Sequence, residues 1–341
     1  MASPAEVAGM RRALDLACSP GVPLGPNPRV GCILLDPTGG TLAEGYHRGA
    51  GGRHAEVDAL LAAGDRARGA TAVVTLEPCN HLGRTGPCAE ALIAAGVVRV
   101  VFGQPDTNPV ARGGAEAFRA AGVEVEGGVL ADEARAVNPI WTFAVERGRP
   151  FVTWKFAATL DGRSAAADGT SRWITSPDAR ADVHRLRAES DVVLVGMGTV
   201  LADDPRLTVR ADDDSALPRA VQPLRAVMGL RPIPAHAAVL DDAAETVRLA
   251  TRDPERALRD LFILDRQHVW LEGGPRLAGA FVHAGVVDRV IAYLAPALLG
   301  AGAAALADAG VTTVSRAVRL DIDDVTRVGP DLRITARPEK G

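Results

Sequence analysis

Four residues in the first third of the chain have the types and spacing of a catalytic metal site: His54, Glu56, Cys79 and Cys88. A neutral imidazole and two thiolates suit a tetrahedral zinc ion that keeps its fourth position for water. Zinc lowers the pKa of such a water towards neutrality and makes it a nucleophile. Glu56 follows His54 by two residues, so it can stand beside the metal and carry protons without binding it. The pattern predicts hydrolytic removal of an amine from a heterocyclic ring.

The spacing of the two cysteines differs from that of nucleobase deaminases, which carry Pro-Cys-x-x-Cys. Eight residues separate Cys79 from Cys88 in this chain. The alternative interpretation is a structural zinc site, or two unrelated buried thiols. Structural zinc sites usually have four protein ligands, and only His81 and His47 offer a further nearby ligand. We therefore favour a catalytic zinc site.

Length and composition indicate a globular protein of two domains. A chain of 341 residues is long for one hydrophobic core. Its 47% hydrophobic and 23% charged residues are ordinary for globular proteins. We place a linker near residues 146–150, between a first domain of residues 1–146 and a second of residues 150–341. The formal net charge of −4 gives no support to a nucleic-acid-binding surface.

Targeting and redox features favour the cytoplasm. The segment Met1–Glu6 lacks the basic and apolar regions of a signal peptide. The uncharged run 290–307 is interrupted by proline and glycine, so a strand at 289–295 and a loop explain it better than a membrane helix. Cys18 and Cys32 are expected to be reduced, because four cysteines with two on a metal do not make a disulfide framework. We expect a cytoplasmic protein without a membrane partner.

The first domain alternates apolar runs and turn residues in a way that predicts α/β/α layers. Helices are predicted at residues 5–18, 54–63 and 114–121, and strands at 30–35, 72–76 and 99–103. His54 would lie in the first turn of its helix, and Cys79 just after a strand. Pro87 predicts the start of a helix at Cys88.

The second domain is predicted to be another α/β unit. Its helix is expected at 177–189 and its strands at 151–157, 191–195, 225–228, 246–250, 269–272 and 290–295. Ser176 and Pro177 form an N-cap and first-turn pair. Two strands end in glycines, at 195–199 and 272–275, where a phosphate could approach backbone N–H groups. Tight structural turns are the alternative, at about equal weight. Lys155 lies inside an apolar strand, and buried lysines are unusual unless paired, so it is a functional candidate.

With both halves considered together, the chain resembles the bifunctional deaminase/reductase family of riboflavin biosynthesis. The resemblance covers nearly the whole chain, and the long spacing between Cys79 and Cys88 is typical of that family. It rests on the segments Pro26-Asn27-Pro28, His54-Ala55-Glu56, Glu77-Pro78-Cys79-Asn80-His81, Gly83-Arg84-Thr85, Pro87-Cys88, Leu160-Asp161-Gly162-Arg163, Trp173-Ile174-Thr175, Val200-Leu201-Ala202-Asp203-Asp204-Pro205, Glu272-Gly273-Gly274-Pro275 and Leu298-Leu299-Gly300.

The resemblance implies a cytidine-deaminase-like α/β/α layer domain followed by a dihydrofolate-reductase-like α/β domain. The first domain would hold one zinc ion and hydrolyse an amine from a diaminohydroxyphosphoribosylaminopyrimidine. The second would use NADPH to reduce the ribosyl group of the deaminated product to ribityl. The implied partner is therefore a small phosphorylated pyrimidine, and we expect a homo-oligomer.

For the first site, the resemblance assigns His54, Cys79 and Cys88 as zinc ligands and Glu56 as the proton carrier. Substrate contacts are implied at Asn27, His47, His81 and Arg84. Arg84 stands where the family often has lysine; either could hold a phosphate, but arginine offers a bidentate fork. The alternative for His47 is a surface histidine in a loop.

For the second site, the resemblance implies substrate contacts at Lys155, Ser171, Arg187, Leu207, Arg210 and Glu272. The NADPH side is implied at Ala157, Trp173, Thr199, Asp203, Gly274, Pro275, Arg276, Leu277, Ala278, Gly279 and Ala280. Arg187 and Arg210 are the natural phosphate clamps, although Arg187 could instead pair with Glu189 or a neighbouring helix. We hypothesise that Lys155 and Glu272 manage the protons of sugar-ring opening.

Two segments depart from the family pattern. Residues 227–230 lack the Asp that family members often carry there, so one cofactor contact is expected to be altered. The stretch 252–268 is short, and its connecting helix is expected to be trimmed. The competing interpretations are a deaminase whose second half is a binding or scaffold module, and a zinc-stabilised nucleotide-binding regulator without turnover. A nucleic-acid base deaminase is disfavoured, because no basic or aromatic-rich groove is evident.

Overall fold

The computed structural model of the chain describes residues 1–21, 25–49, 51–81, 86–211 and 213–339. These residues form two compact units, Met1–Arg147 and Gly148–Gly341. None of the helices within the described ranges combines the length and apolar character that crossing a membrane requires.

Among its described residues, the first unit contains one five-stranded sheet of order β2-β1-β3-β4-β5. The strands are β1 (Gly31–Leu35), β2 (Thr41–Tyr46), β3 (Thr71–Leu76), β4 (Arg99–Gln104) and β5 (Glu124–Gly127). β1 is antiparallel to both of its neighbours, whereas β3, β4 and β5 are parallel. The carboxyl ends of β3 and β4 therefore lie at the same edge of the sheet, where the chain continues to Cys79.

Helices cover both faces of this sheet. They are α1 (Pro4–Ala17), α2 (Ala55–Ala63), α3 (Cys88–Ala94), α4 (Gly114–Ala120), α5 (Ala131–Val137) and α6 (Pro139–Arg147). In β1, Cys32 belongs to one apolar core and Ile33 to the other, as expected of a strand buried on both sides. A β-carbon at Gly45 would lie 2.3 Å from the Ala55 carbonyl oxygen. Glycine at this position therefore lets α2 pack directly on β2, which fixes the start of α2.

Among its described residues, the second unit contains one eight-stranded sheet of order β12-β13-β11-β6-β10-β7-β8-β9. The strands are β6 (Phe151–Thr159), β7 (Val192–Gly196), β8 (Leu224–Met228), β9 (Thr246–Leu249), β10 (His268–Leu271), β11 (Arg289–Ala295), β12 (Leu320–Val328) and β13 (Asp331–Pro338). β6 to β11 are parallel, and the hairpin of β12 and β13 adds antiparallel strands at one edge. The chain returns from β9 to place β10 between β6 and β7. The carboxyl ends of these three strands therefore border one crevice, the usual ligand position in open parallel sheets.

The helices of the second unit are α7 (Pro177–Arg187), α8 (Met197–Asp203), α9 (Pro254–Ile263) and α10 (Pro275–His283). The Ser176 hydroxyl accepts a hydrogen bond from the Ala179 N–H, so the predicted cap of α7 is confirmed. In the stretch 252–268, α9 has ten residues and begins at an Asp253 cap. Its expected trimming relative to the family stays a prediction. The strand predicted at 289–295 is confirmed as β11, whereas the β12–β13 hairpin was not predicted.

Candidate functional site

Three side chains from separate elements converge in the first unit. His54 is the N-cap of α2, one residue before the helix, Cys79 follows β3, and Cys88 opens α3. The Nδ1 atom of His54 lies 3.2 Å from the Cys88 Sγ and 3.6 Å from the Cys79 Sγ. One donor atom from each residue lies within 4.8 Å of the other two. One imidazole and two thiols at this separation are the donor chemistry that zinc prefers, so these residues fit a zinc ion.

Glu56 lies beside this group in the first turn of α2. Its side chain is buried, with 4% exposed, and it accepts a hydrogen bond from the Cys88 thiol. Burial, followed by the negative charge of Cys79, raises the pKa of Glu56 to about 7. The carboxyl group touches the candidate metal site without being one of its three donors. From that position the Glu56 carboxyl group can transfer protons next to the candidate metal site.

His47 and Asn27 form a second layer next to His54. The His47 ring packs edge-on against the His54 ring, with 5.5 Å between centroids. Its Nδ1 lies 2.8 Å from the Arg53 carbonyl oxygen and its Nε2 lies 3.1 Å from the Asn27 amide nitrogen. Because a carbonyl oxygen only accepts, Nδ1 carries the proton and Nε2 accepts from Asn27. Only 4% of His47 is exposed, which is unlike a surface loop histidine.

Two buried carboxylates of this unit, Glu77 and Asp106, had no role assigned from the sequence. Glu77 accepts hydrogen bonds from the N–H groups of Ala115, at 2.9 Å, and Asp106, at 3.2 Å. It therefore ties the turn before Cys79 to α4 and to the segment after β4. Burial raises the pKa of Asp106 to about 6, and the charges of Glu77 and Cys79 add to this effect. The parallel pairing of β3 and β4 was the signal that could have placed Asp106 here.

The remaining predicted contacts of the first site have different outcomes. His81 is half-buried, and its Nδ1 has no hydrogen-bond partner among the residues described. It interacts electrostatically with Asp106. Arg84 lies outside the described residues.

The second unit contains a cavity of about 910 Å³ at the crevice bordered by β6, β7 and β10. Ten of the residues predicted for substrate and cofactor line it: Lys155, Ala157, Ser171, Trp173, Arg187, Thr199, Asp203, Leu207, Arg210 and Glu272. Elements distant in the chain supply them, since Lys155 belongs to β6, Arg187 to α7 and Thr199 to α8. The cavity thus brings together residues assigned to both ligands, but not the seven cofactor residues of the segment 274–280.

Glu272 and Arg187 form a buried ion pair in the wall of this cavity. The Arg187 Nε and Nη2 donate to Glu272 at 2.7 to 3.0 Å, and its Nη1 donates to the Thr208 carbonyl oxygen at 2.7 Å. The Trp270 indole N–H also donates to Glu272. Burial alone would raise the pKa of Glu272, but the charges of Arg187 and Lys155 outweigh it and lower the pKa to about 2. Most donors of Arg187 are therefore engaged inside the protein, and its assignment as a phosphate clamp stays a prediction.

Lys155 lines the cavity, and its Nζ lies 6.0 Å from the centre of the Tyr293 ring. Burial lowers the pKa of Lys155, and Arg187 adds to the shift, whereas Glu272 opposes it. An ammonium group with a lowered pKa releases its proton more readily than an exposed lysine.

Arg210 also lines the cavity. Its Nη1 donates to both carboxylate oxygens of Asp214, each at 2.9 Å. The Asp214 side chain is 78% exposed, so this pair is open to water. Arg210 is therefore held by a replaceable partner, in contrast to Arg187.

None of the residues in the predicted cofactor segment 274–280 lines the cavity, but the first of them lies next to Thr199, which does. Gly274 is the N-cap of α10, and a β-carbon there would lie 3.8 Å from the Thr199 hydroxyl oxygen. The start of α10 can therefore present backbone N–H groups beside the cavity. Ala278 and Gly279 are buried, and Gly279 packs against the Asp308 backbone, so neither lines the cavity.

Fold and sites together define a two-domain enzyme in which a zinc-binding deaminase domain precedes a reductase domain. Residues 5–104 match the family described as cytidine and deoxycytidylate deaminase zinc-binding region. Residues 150–334 match the family described as RibD C-terminal domain, which has a dihydrofolate-reductase-like fold and is NADPH-dependent. The chain belongs to the RibD family, the bifunctional deaminase/reductases of riboflavin biosynthesis. The fold class and family predicted from the sequence are confirmed.

Relatives match over nearly the whole chain. The riboflavin biosynthesis protein RibD of Mycobacterium tuberculosis is 51% identical over 312 residues, covering 91% of each chain. That of Escherichia coli is 42% identical, covering 95% of this chain and 96% of its own. The structure of Acinetobacter baumannii RibD superposes with a TM-score of 0.88 at 36% identity, covering 98% of this chain and 99% of that one. A Thermotoga maritima deaminase/reductase structure has a TM-score of 0.81 at 32% identity, with the same coverage.

Proposed function

We propose that the chain deaminates a diaminohydroxyphosphoribosylaminopyrimidine and then reduces the ribosyl group of the product to ribityl. The observation that carries the proposal is the convergence of His54, Cys79 and Cys88 with the buried Glu56. The second unit supports the second step, because its cavity combines a half-buried lysine with an arginine whose only ion-pair partner among the described residues is an exposed aspartate.

In the deamination, His54, Cys79 and Cys88 would hold zinc, which when bound supplies an acidified water able to attack an electrophilic ring carbon. Glu56 takes one proton from the attacking water and delivers it to the ring nitrogen, and it then carries the proton of the added hydroxyl group to the leaving amine. The atoms balance, since water adds to the ring carbon and ammonia leaves from it. Asn27, His47, His81 and Arg84 are proposed to contact the substrate.

In the reduction, bound NADPH supplies a hydride. Lys155 donates a proton to the ribosyl oxygen as the sugar ring opens, and the hydride adds to the carbon that bore that oxygen. Glu272 remains ionised through its bonds to Arg187 and offsets the charge of Lys155. The geometry therefore favours Lys155 as the proton donor and Glu272 as its electrostatic partner, which refines the shared role hypothesised from the sequence.

Ligand contacts in the cavity are proposed as follows. Arg210 binds the substrate phosphate, with Ser171 and Leu207 beside it. Ala157, Trp173, Thr199, Asp203 and the start of α10 at Gly274, Pro275 and Arg276 face NADPH. Leu277, Ala278, Gly279 and Ala280 would act by fixing the position of that helix. Residues 227–230, which depart from the family pattern, do not line the cavity.

A small phosphorylated pyrimidine is the partner that these sites suit. The net charge of −4 supports the absence of a nucleic-acid partner. A cytoplasmic location is proposed because all four cysteines are unpaired and the candidate zinc site requires thiolates. The homo-oligomer expected from the resemblance stays a prediction.

The deaminase is tested with zinc-loaded protein, the pyrimidine substrate and mass analysis of the product. Glu56→Gln should retain zinc and lose activity by roughly a hundredfold or more, because a general acid/base contributes about that much. The control is Glu90→Gln, which changes an exposed glutamate in the first turn of α3 and should leave the rate unchanged. Full activity of the Glu56→Gln protein would support a zinc-stabilised regulator instead.

The reductase is tested by following NADPH oxidation with the deaminated intermediate. Lys155→Arg keeps a positive charge but cannot release a proton at neutral pH, whereas Lys155→Met removes both functions. Both variants should lose turnover if Lys155 is the proton donor. A Lys155→Met protein that kept turnover and lost only affinity would contradict this role. If the parent protein oxidised NADPH no faster than the background, the second unit would be better explained as a binding or scaffold module attached to a deaminase.

A further inference from the structure

His184 occupies a position in the reductase cavity that the sequence analysis did not indicate. It lies on α7, one helical turn before Arg187, and lines the cavity together with Lys155, Arg210 and Glu272. Its Nδ1 atom is buried and has no hydrogen-bond partner within the described ranges. His184 therefore adds a polar side chain to the cavity wall that already contains Lys155 and Arg210.

The surroundings of His184 keep its ring neutral. Burial, and after it the positive charge of Arg187, lowers the pKa of His184 to about 4. Arg210 acts in the same direction, while Glu272 and Asp214 oppose it. A neutral imidazole has one N–H, and an orphaned buried N–H is rarer than an unfilled acceptor. The proton therefore belongs on Nε2, and Nδ1 is left as the unfilled acceptor.

We propose that His184 donates its Nε2–H to a phosphate oxygen of the pyrimidine substrate, as the neutral partner of Arg210. The proposal rests on the proposed reductase function. A phosphate group offers three acceptor oxygens, more than one guanidinium group saturates. Arg187 is engaged by Glu272 and Thr208, so it contributes few further donors. His184 supplies the missing donor from the helix that also carries Arg187.

Two amide variants distinguish a donor at Nε2 from any other role. In His184→Gln the amide nitrogen takes the approximate place of Nε2, whereas in His184→Asn it takes that of Nδ1. The probe is ribose-5-phosphate, whose affinity for the full-length protein is measured by calorimetry without NADPH. The Asn variant should bind it roughly ten- to a hundredfold more weakly, the range for a hydrogen bond to a charged group. The Gln variant should stay within about threefold of the parent.

Kinetics provide the second readout. In the reductase assay, His184→Asn should raise KM by a similar factor and leave kcat and the Kd for NADPH within about twofold. Equal behaviour of the Asn and Gln variants would overturn the proposal. So would a loss confined to kcat, which would assign His184 to the chemical step.

If a variant misfolds, a measurement on the unaltered protein still tests the proposal. In ¹⁵N-histidine spectra, the resonance that His184→Gln removes should shift when ribose-5-phosphate is added to the parent. An unshifted resonance at saturating ribose-5-phosphate would overturn the proposal. If the proposed reductase function is wrong, the parent protein will not oxidise NADPH with the deaminated intermediate. That result does not depend on whether the protein binds ribose-5-phosphate, so the two failures can be told apart.

Discussion

Replacing Glu272 by glutamine should destabilise the reductase unit strongly, because it breaks a buried ion pair on one side only. The side chains of Arg187 and Glu272 are 10% and 13% exposed, so water screens their interaction little. Glutamine preserves the shape of the side chain and an acceptor for the Trp270 indole. It removes the charge and leaves the Arg187 guanidinium buried without a counter-ion.

The pKa of Glu272 sets the size of the effect. Burial opposes ionisation, yet Arg187 and Lys155 lower this pKa from 4.5 to about 2. At about 1.4 kcal/mol per pKa unit, ionised Glu272 contributes about 3–4 kcal/mol to the free energy of unfolding. Breaking a buried pair typically costs about 3–5 kcal/mol, which agrees. Because the folded pKa lies below the unfolded one, the contribution is complete well above pH 4.5 and is lost as the pH falls towards 2.

Urea unfolding at pH 7, followed by tryptophan fluorescence, measures this difference, with Trp270 as a reporter in contact with the substituted side chain. The matched control is Glu189→Gln, which breaks the exposed pair with Arg185 and should cost less than about 0.5 kcal/mol. The parent and the Glu272→Gln protein should also converge in stability as the pH is lowered from 7 towards 3. A Glu272→Gln protein within about 0.5 kcal/mol of the parent at pH 7 would refute the reasoning.

Three further outcomes are expected. Glu77→Gln replaces one hydrogen-bond acceptor by a donor that faces the N–H of Ala115 or Asp106. The loop that carries Cys79 should then become less ordered. Zinc affinity, measured by competition with a chelator, should fall about tenfold. Gly279→Ala places a β-carbon 2.3 Å from the Asp308 carbonyl oxygen. The free energy of unfolding, measured by thermal denaturation, should fall by about 1–3 kcal/mol. An unchanged melting curve would contradict this packing. Removing zinc with a chelator should lower the melting temperature of the deaminase unit, and zinc but not magnesium should restore it.

The metal site was predictable because its chemistry restricts the residue types. Only a few side chains bind zinc, and His54, Glu56, Cys79 and Cys88 lie close enough in sequence to be recognised together. The helix boundary was less exact, since His54 is the N-cap of α2 and not part of its first turn. Asp106 lies 29 residues from Glu77, and only the parallel pairing of β3 with β4 brings the two together.

The reductase site was predictable as a set of residues but not as a set of contacts. Arg187 and Glu272 are 85 residues apart, so no local pattern pairs them. The sequence offered Glu189 as the partner of Arg187, but in the structure Glu189 pairs with Arg185. His184 gave no signal, because a lone histidine in a polar helix is ordinary.

The part of the fold that escaped prediction has weak local patterns. β11 was recognised from its continuous apolar run. β12, by contrast, contains Asp321, Asp323 and Asp324 between its apolar residues, and most of the strand is exposed at the edge of the sheet. Its position depends on hydrogen bonds to β13 and not on burial, so hydrophobic periodicity gives little sign of it.

The contact between Arg210 and Asp214 has a consequence for the end of the reaction cycle. If Arg210 binds the substrate phosphate as proposed, a phosphate that reaches its Nη1 competes with a carboxylate tethered four residues away. The tether keeps that carboxylate at a high local concentration, and it competes again as soon as the phosphate begins to leave. Substrate and product carry the same phosphate, so the competition weakens both equally. On the proposed role of Arg210, this competition lowers the affinity for the substrate and speeds the release of the product.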